Sequence, residues 1–413
     1  MNLLVVASRP PWPPVMADAM TVDRTLRYLA GRGHAVDLCC FTESRAQERE
    51  LRAGLGGVCR RIESVRLPRW RSYWTTALGL PGRLPMQVDY YRSPAMAELV
   101  ARVLGEGDHD LVYTHLIRMA EYTRHLDRPV VVNLVVSQAL NYGRLLEYAR
   151  DPLRRLFYGI ERARVRSYEV ALCADVDRVI VCGPADREAL EREAPLDNVF
   201  VNPHGQDVPD EARVRAARRE PGTIVLSGVM STFTNVDAAL WFAGRILPRI
   251  ERAVPGAAFW IVGRTPQRAV RALARAPRVV VTGEVPDVNE WLLRAEVAVA
   301  PLRIAAGMQN KLVQAMACET AVVATPVANE GIRALPDLHL RVREDEEEFA
   351  GAVIELLRDP EARERLGRAA RRHVAANWTW EALFLRLEQE LLAVAGGPAA
   401  PGTQTADSVG SSA

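Results

Sequence analysis

Residues 296–325 read EVAVAPLRIAAGMQNKLVQAMACETAVVAT. Two short runs of small and β-branched residues, EVAVAP and TAVVAT, enclose a segment in which Leu312 and Met316 share one side of a helix while Lys311, Gln314, Ala315 and Cys318 share another. Runs that are apolar throughout are strands buried on both faces, and a helix between two of them implies parallel pairing through a right-handed crossover. The alternation continues outward. TIVLSG near 223, AAFWIVG near 257, RVVVTG near 278 and LHLRVR near 338 belong to the same series. A separate series fills the first half of the chain: LLVVAS near 3, AVDLCCF near 35, DLVYTH near 110, PVVVNLVV near 129, RVIVCG near 178 and VFVNPHG near 199. The fold class is α/β, with two doubly wound Rossmann-like parallel-sheet domains facing a cleft between the carboxyl ends of their strands.

Between the two series lies HGQDVPDEARVRAARREP, residues 204–221, polar and without an apolar period. This reads as a linker, which places an N-terminal domain at 1–203 and a C-terminal domain at 222–378. Asp359-Pro360 supplies an N-cap and first helical residue for a helix opening at DPEARERLGRAARRHVAAN, and a last helix spans 379–395. Residues 396–413 are Gly, Pro, Ser, Thr and Ala with little to bury, and are expected to be disordered.

Composition excludes several classes. The 413 residues are 49% hydrophobic with a formal net charge of only +2, and the charges are spread along the chain, so no nucleic-acid footprint is present. Cys39, Cys40, Cys59, Cys173, Cys182 and Cys318 show no C-x-x-C pair and no His at zinc spacing, which points to reduced thiols and no metal site. The start, MNLLVVASRP, runs directly into a strand, and no segment approaches a bilayer-spanning length; a cytoplasmic protein is expected. The first loop, SRPPWPPVMADAM, lacks glycine and is no dinucleotide fingerprint. One stretch, 60–85, mixes Arg60, Arg61, Arg66, Arg69 and Arg71 with Trp70, Tyr73 and Trp74. It reads as a solvated loop over the first sheet, with a substrate-lining groove or peripheral membrane contact as alternatives.

Lys311 is the only lysine among 53 basic residues. Asn310 makes an N-cap, which puts Lys311 in the first helical turn, where the macrodipole disfavours a cation unless an anion lies nearby. Gly307 permits a turn that brings unpaired N–H groups towards a ligand, and such helix starts bind phosphate. An anion site at residues 307–311 follows.

The stretch 296–332, with PLR, G-x-Q-N-K, the A-M-A helix, TPVA and EG, resembles the donor-site region of retaining GT-B glycosyltransferases of the family-4 kind, especially an exopolysaccharide-type subgroup. Weaker similarity runs through residues 227–250, FWIVGRTP (259–266), VVVTGEVPDVNEWL (279–292) and NWTW (377–380). The resemblance implies a GT-B fold whose last helices return towards the first domain. It also implies transfer of a sugar from a nucleoside diphosphate sugar to an unknown acceptor, a glycan, glycolipid or secondary metabolite, with retention of configuration and without metal or other cofactor. Arg303, Gly307, Gln309, Asn310 and Lys311 would surround the diphosphate, Gln314 would lie near ribose, Gly283, Glu284 and Val285 near the base, and Arg264 would join the donor site. Lys311, Arg303 and His115, which ends the DLVYT strand, are the catalytic candidates.

The chain also departs from that family. Two glutamates eight positions apart are replaced by Ala306 and Gln314, and a basic pair by Val229 and Thr234; a His or Asp of the first domain is Val135 or Val136, with Asn133, Ser137 and Asn141 nearby. A catalytically silent partner of another glycosyltransferase is therefore the alternative. Asp18 reads as a helix cap, with acceptor contact as its other reading, and His204 sits beside the interdomain hinge.

Overall fold

The computed structural model describes residues 1–79, 81–305 and 308–396. Its first sheet contains β1 (Asn2–Ala7), β2 (Ala35–Thr42), β3 (Arg61–Arg66), β4 (Leu111–His115), β5 (Val130–Val135), β6 (Arg178–Val181) and β7 (Val199–Val201) in the order β3-β2-β1-β4-β5-β6-β7. The second contains β8 (Thr223–Ser227), β9 (Ala258–Val262), β10 (Val279–Gly283), β11 (Val297–Ala300), β12 (Ala321–Ala324) and β13 (Arg341–Val342) in the order β10-β9-β8-β11-β12-β13. The pairings within both sheets are parallel. Each strand order reverses once, between β1 and β4 and between β8 and β11, and ligands of open α/β sheets bind outside the carboxyl ends at such switch points.

The apolar runs that signalled strands are the cores. Val5, Leu38, Val131 and Ile180 are fully buried on one face of the first sheet, and Leu4, Val112, Val132 and Val179 on the other. The second sheet is similarly enclosed, with Phe242 packed between Phe259 of β9 and Phe349. The last helix, Trp380–Val394, inserts Phe384, Leu387 and Leu391 into the core of the first domain. Its Glu388 is buried, accepting from Tyr28 at 3.1 Å and lying 2.8 Å from His34 Nε2.

One expectation needs correction. Residues 60–85 do not form a solvated loop: Arg61–Arg66 pair with β2 as the edge strand, and Arg69–Gly79 form a helix. Hydrophobic alternation missed the strand because an edge strand buries little beyond Ile62. Residues 204–221, read as the linker, carry structure of their own. They contain a helix, Glu211–Ala216, and then Arg219, whose guanidinium donates to the carbonyls of Leu292, Ala295, Cys318 and Glu319 and to the Thr320 hydroxyl. An arginine enclosed by main-chain oxygens leaves no apolar period to read. Beside it the two interdomain crossings run together, Gln206 N donating to Trp378 O at 2.7 Å.

Candidate active site

The carboxyl ends of β8, β9 and β10 are tied by Gly228 N to Val262 O (3.0 Å) and Gly263 N to Gly283 O (3.1 Å). Gly228 and Gly263 have φ near 150° and 145°, and a Cβ on Gly263 would stand 1.8 Å from the Gly228 carbonyl oxygen. Only glycine permits this approach. The closure leaves a cleft of about 560 Å³ at the β8/β11 switch point, floored by Gly228 and Gly263 and walled by the starts of the helices Phe233–Trp241 and Asn310–Ala317.

Arg264, Glu284, Val285, Gln309, Asn310, Lys311 and Gln314 all line this cleft. Gly283 is not part of the lining, and its carbonyl accepts from Gly263, which is. Gly307 and Ala306 lie outside the described residues. Gln309, rather than Asn310, precedes the helix as its N-cap, and its side chain makes no capping bond, so Asn310 is the first helical residue. Lys311 is thereby still in the opening turn. Its Nζ donates to Asn235 Oδ1, a neutral amide held in turn by donating to Val229 O at 3.0 Å. Among the described residues no carboxylate pairs with Lys311 or with Arg264. Burial pushes the Lys311 ammonium down to about 8. Two cations and two helix N-termini therefore converge in a cleft that Glu284 also lines, and neither cation is ion-paired among the described residues.

Gln314 donates to Asn289 Oδ1 at 2.9 Å, which turns one end of its amide to the protein and leaves the carbonyl oxygen as an acceptor. Asn235 and Asn289, which set the two polar side chains of the helix, were not among the sequence candidates. Both follow Gly-containing strand ends, a signal that points to the loop and not to the particular amide.

Arg303 does not line the cleft, contrary to the expectation that it surrounds the diphosphate. Its guanidinium forms a two-point pair with Asp237 and lies over the Trp241 ring at 5.5 Å. The nearby carboxylate and indole satisfy it, a preference invisible in the PLR motif alone.

In the first domain His115 ends β4 at 2% exposure; neither ring nitrogen has a partner, and burial pushes its pKa down to about 3. It is a neutral imidazole beneath the surface. His204 is also enclosed, with Nδ1 3.1 Å from Thr21 Oγ1 and Nε2 3.4 Å from Cys182 Sγ. Asp18 does not cap the first helix, whose N-cap is Met16; it pairs with Arg9 at 3.1 Å and Arg118 at 3.3 Å. Asn133 spans Tyr113 OH and Val135 N, while Val135 itself adopts φ near 68°. Ser137 donates to Glu169, whose carboxyl burial pushes up to about 7. A groove of about 530 Å³ opens above β1 and β2, lined by Arg9, Trp12, Phe41, Glu50, Tyr73 and Tyr91 among others. The domains meet where Arg144 reaches Ala305 O and Glu330 and where Tyr148 OH donates to Arg303 O at 2.7 Å.

The Glycosyltransferase Family 4 model matches residues 19–208, and the Glycosyl transferases group 1 model matches residues 221–359. The chain is a glycosyltransferase. Glycogen synthase of Mycobacterium tuberculosis is 26% identical to it over 311 residues, covering 71% of this chain and 69% of the synthase. Among solved structures, sucrose-phosphate synthase from Thermosynechococcus elongatus superposes with TM-score 0.67 at 18% identity, covering 94% of this chain and 98% of that one. Anabaena HepE in complex with UDP gives 0.66 at 12% identity, covering 95% and 100%. These two likenesses establish the GT-B fold of the transferase. Among its described residues no cluster of three or more His, Cys, Asp or Glu is placed to hold a metal, and no helix is long and apolar enough to cross a membrane.

Proposed function

We propose that this glycosyltransferase takes a nucleoside diphosphate sugar in the cleft between β8 and β11 and passes its glycosyl group, with retention of configuration, to an acceptor in the groove of the first domain. The observation that carries the reading is Lys311: a desolvated ammonium held by an amide, beside unpaired Arg264, at two helix starts. A diphosphate supplies the ion-pair partner that these two cations lack among the described residues. HepE, a structural neighbour, is described in complex with UDP and with UDP-glucose, which supports the donor class.

In this reading Lys311, Arg264 and the amides at the helix starts stabilise the departing nucleoside diphosphate, a role elsewhere met by a divalent ion. Gln314 accepts from ribose hydroxyls, and Glu284 and Val285 border the base. His115, a neutral imidazole at the carboxyl end of β4, is the first-domain candidate for a catalytic role. The departing phosphate accepts the acceptor proton as the new glycosidic bond forms on the same face. Donor sugar and acceptor are read by product mass spectrometry across a panel that includes glycan primers and hydroxylated secondary metabolites.

Calorimetry with UDP, GDP and dTDP tests the assignment. Lys311→Ala is expected to weaken the preferred nucleotide by at least ~10-fold, in keeping with the loss of a charge-assisted contact, and EDTA is expected to leave turnover intact. Absence of nucleotide binding by the unmodified protein would favour the silent-partner reading prompted by Gln314 and Val229.

A further inference from the structure

The helix Arg69–Gly79 is inverted. Its buried residue is Ser72, whose carbonyl accepts from Thr75 at 3.0 Å and Thr76 at 2.8 Å, while Trp70, Trp74 and Leu78 are 67%, 64% and 76% exposed and Tyr73 is 66% exposed. These four residues fall at i, i+3, i+4 and i+8, so they form one outward stripe. Isolated exposed apolar residues are ordinary, whereas a helix that turns its apolar side to solvent marks an interaction surface.

Charge around the stripe is one-sided. Residues 60–85 hold six arginines against a single carboxylate, Glu63. Arg60, Arg61 and Arg69 are answered by Asp37, Glu63 and Glu43. Arg66, Arg71 and Arg83 form no ion pair among the described residues. A second outward stripe, Leu153, Leu156, Phe157 and Ile160 at 76%, 62%, 41% and 44% exposure, begins the helix Pro152–Asp175. Both helices abut the short helix Met86–Tyr90: Tyr73 meets the Tyr90 ring at 5.9 Å, and Met86 N donates to Glu161 at 3.0 Å.

We propose that this face seats the transferase on an anionic lipid bilayer. Tryptophan and tyrosine settle at the headgroup level, where the ring is solvated by acyl chains and the polar edge by water, and unpaired arginines are attracted by lipid phosphates. Charge complementarity selects anionic lipid as the occupant. The contact is interfacial, since no described helix is long and apolar enough to span. Tyr73 also lines the first-domain groove, so docking sets the mouth of that groove against the headgroups.

Flotation of the full chain with phosphatidylcholine/phosphatidylglycerol vesicles, against phosphatidylcholine alone, tests the proposal. The expected result is partition onto the anionic vesicles that high salt weakens, at least ~10-fold weaker for Trp70→Ser/Trp74→Ser, and reduced for Arg66→Ser/Arg71→Ser/Arg83→Ser. The substituted side chains other than half-buried Arg71 are exposed, and matched circular dichroism and thermal unfolding verify that the variants fold. No partition by the unmodified chain, or equal partition by the variants, overturns the proposal. So does sedimentation showing self-association that the tryptophan variant abolishes, which would assign the face to a second copy. Nucleotide affinity, measured on the same samples, should be the same in all variants; its failure in the unmodified protein would count against the donor site and leave the vesicle result standing.

Discussion

Lys311 is the lysine of the cleft, and its charge depends on pH. With Lys311 pushed down to about 8 by burial, its charge is complete below that pH and is lost as pH rises through it. An anion favours the charged form, so nucleotide binding should raise the Lys311 pKa. The expected outcomes are affinity that falls above about pH 8 and net proton uptake on binding near that pH, measured by calorimetry in buffers of different ionisation enthalpy; Lys311→Arg should abolish the uptake because guanidinium does not titrate there. Gly263 acts at the same scale through space and not charge. Gly263→Ala would drive a methyl into the Gly228 carbonyl, so the loops after β8 and β9 must separate, and nucleotide affinity should drop at least ~10-fold through loss of aligned donors.

Among the elements, the segment joining the domains is held by partners distant in sequence. Arg219 is enclosed, and burial lowers its pKa although its donors reach five oxygen atoms. Arg219→Met would leave several buried carbonyls without a donor, and the second domain is expected to lose about 3 kcal/mol, read as a shift in its chemical denaturation midpoint. The helix Asn310–Ala317 shows how far local pattern reaches. Its apolar side, Leu312 and Met316, and its cleft-lining side, Lys311 and Gln314, were legible from spacing, because a helix fixes which side chains share a face. Arg303 was not legible, because its position depends on Asp237, 66 residues earlier in the chain.

At the scale of the whole molecule the last helix belongs to the first domain's core although the second domain precedes it in sequence. Glu388 gathers Tyr28, Arg32 and His34, and their hydrogen bonds hold its carboxyl below the usual range against the opposing cost of burial. A chain truncated after Trp378 should expose the apolar surface that Phe384, Leu387 and Leu391 cover. Thermal unfolding should then resolve a destabilised first-domain transition, with the second-domain transition retained. By itself, the sequence determined that two parallel sheets form and where the cleft-lining helix Asn310–Ala317 falls, because strand burial and helical spacing are local periodicities. Tertiary structure alone decided that Arg303 turns to Asp237, that Asn235 holds Lys311, and that the polar linker wraps an arginine. Each of these depends on which carboxylate, amide or carbonyl arrives from a distant segment, and no periodicity encodes that meeting.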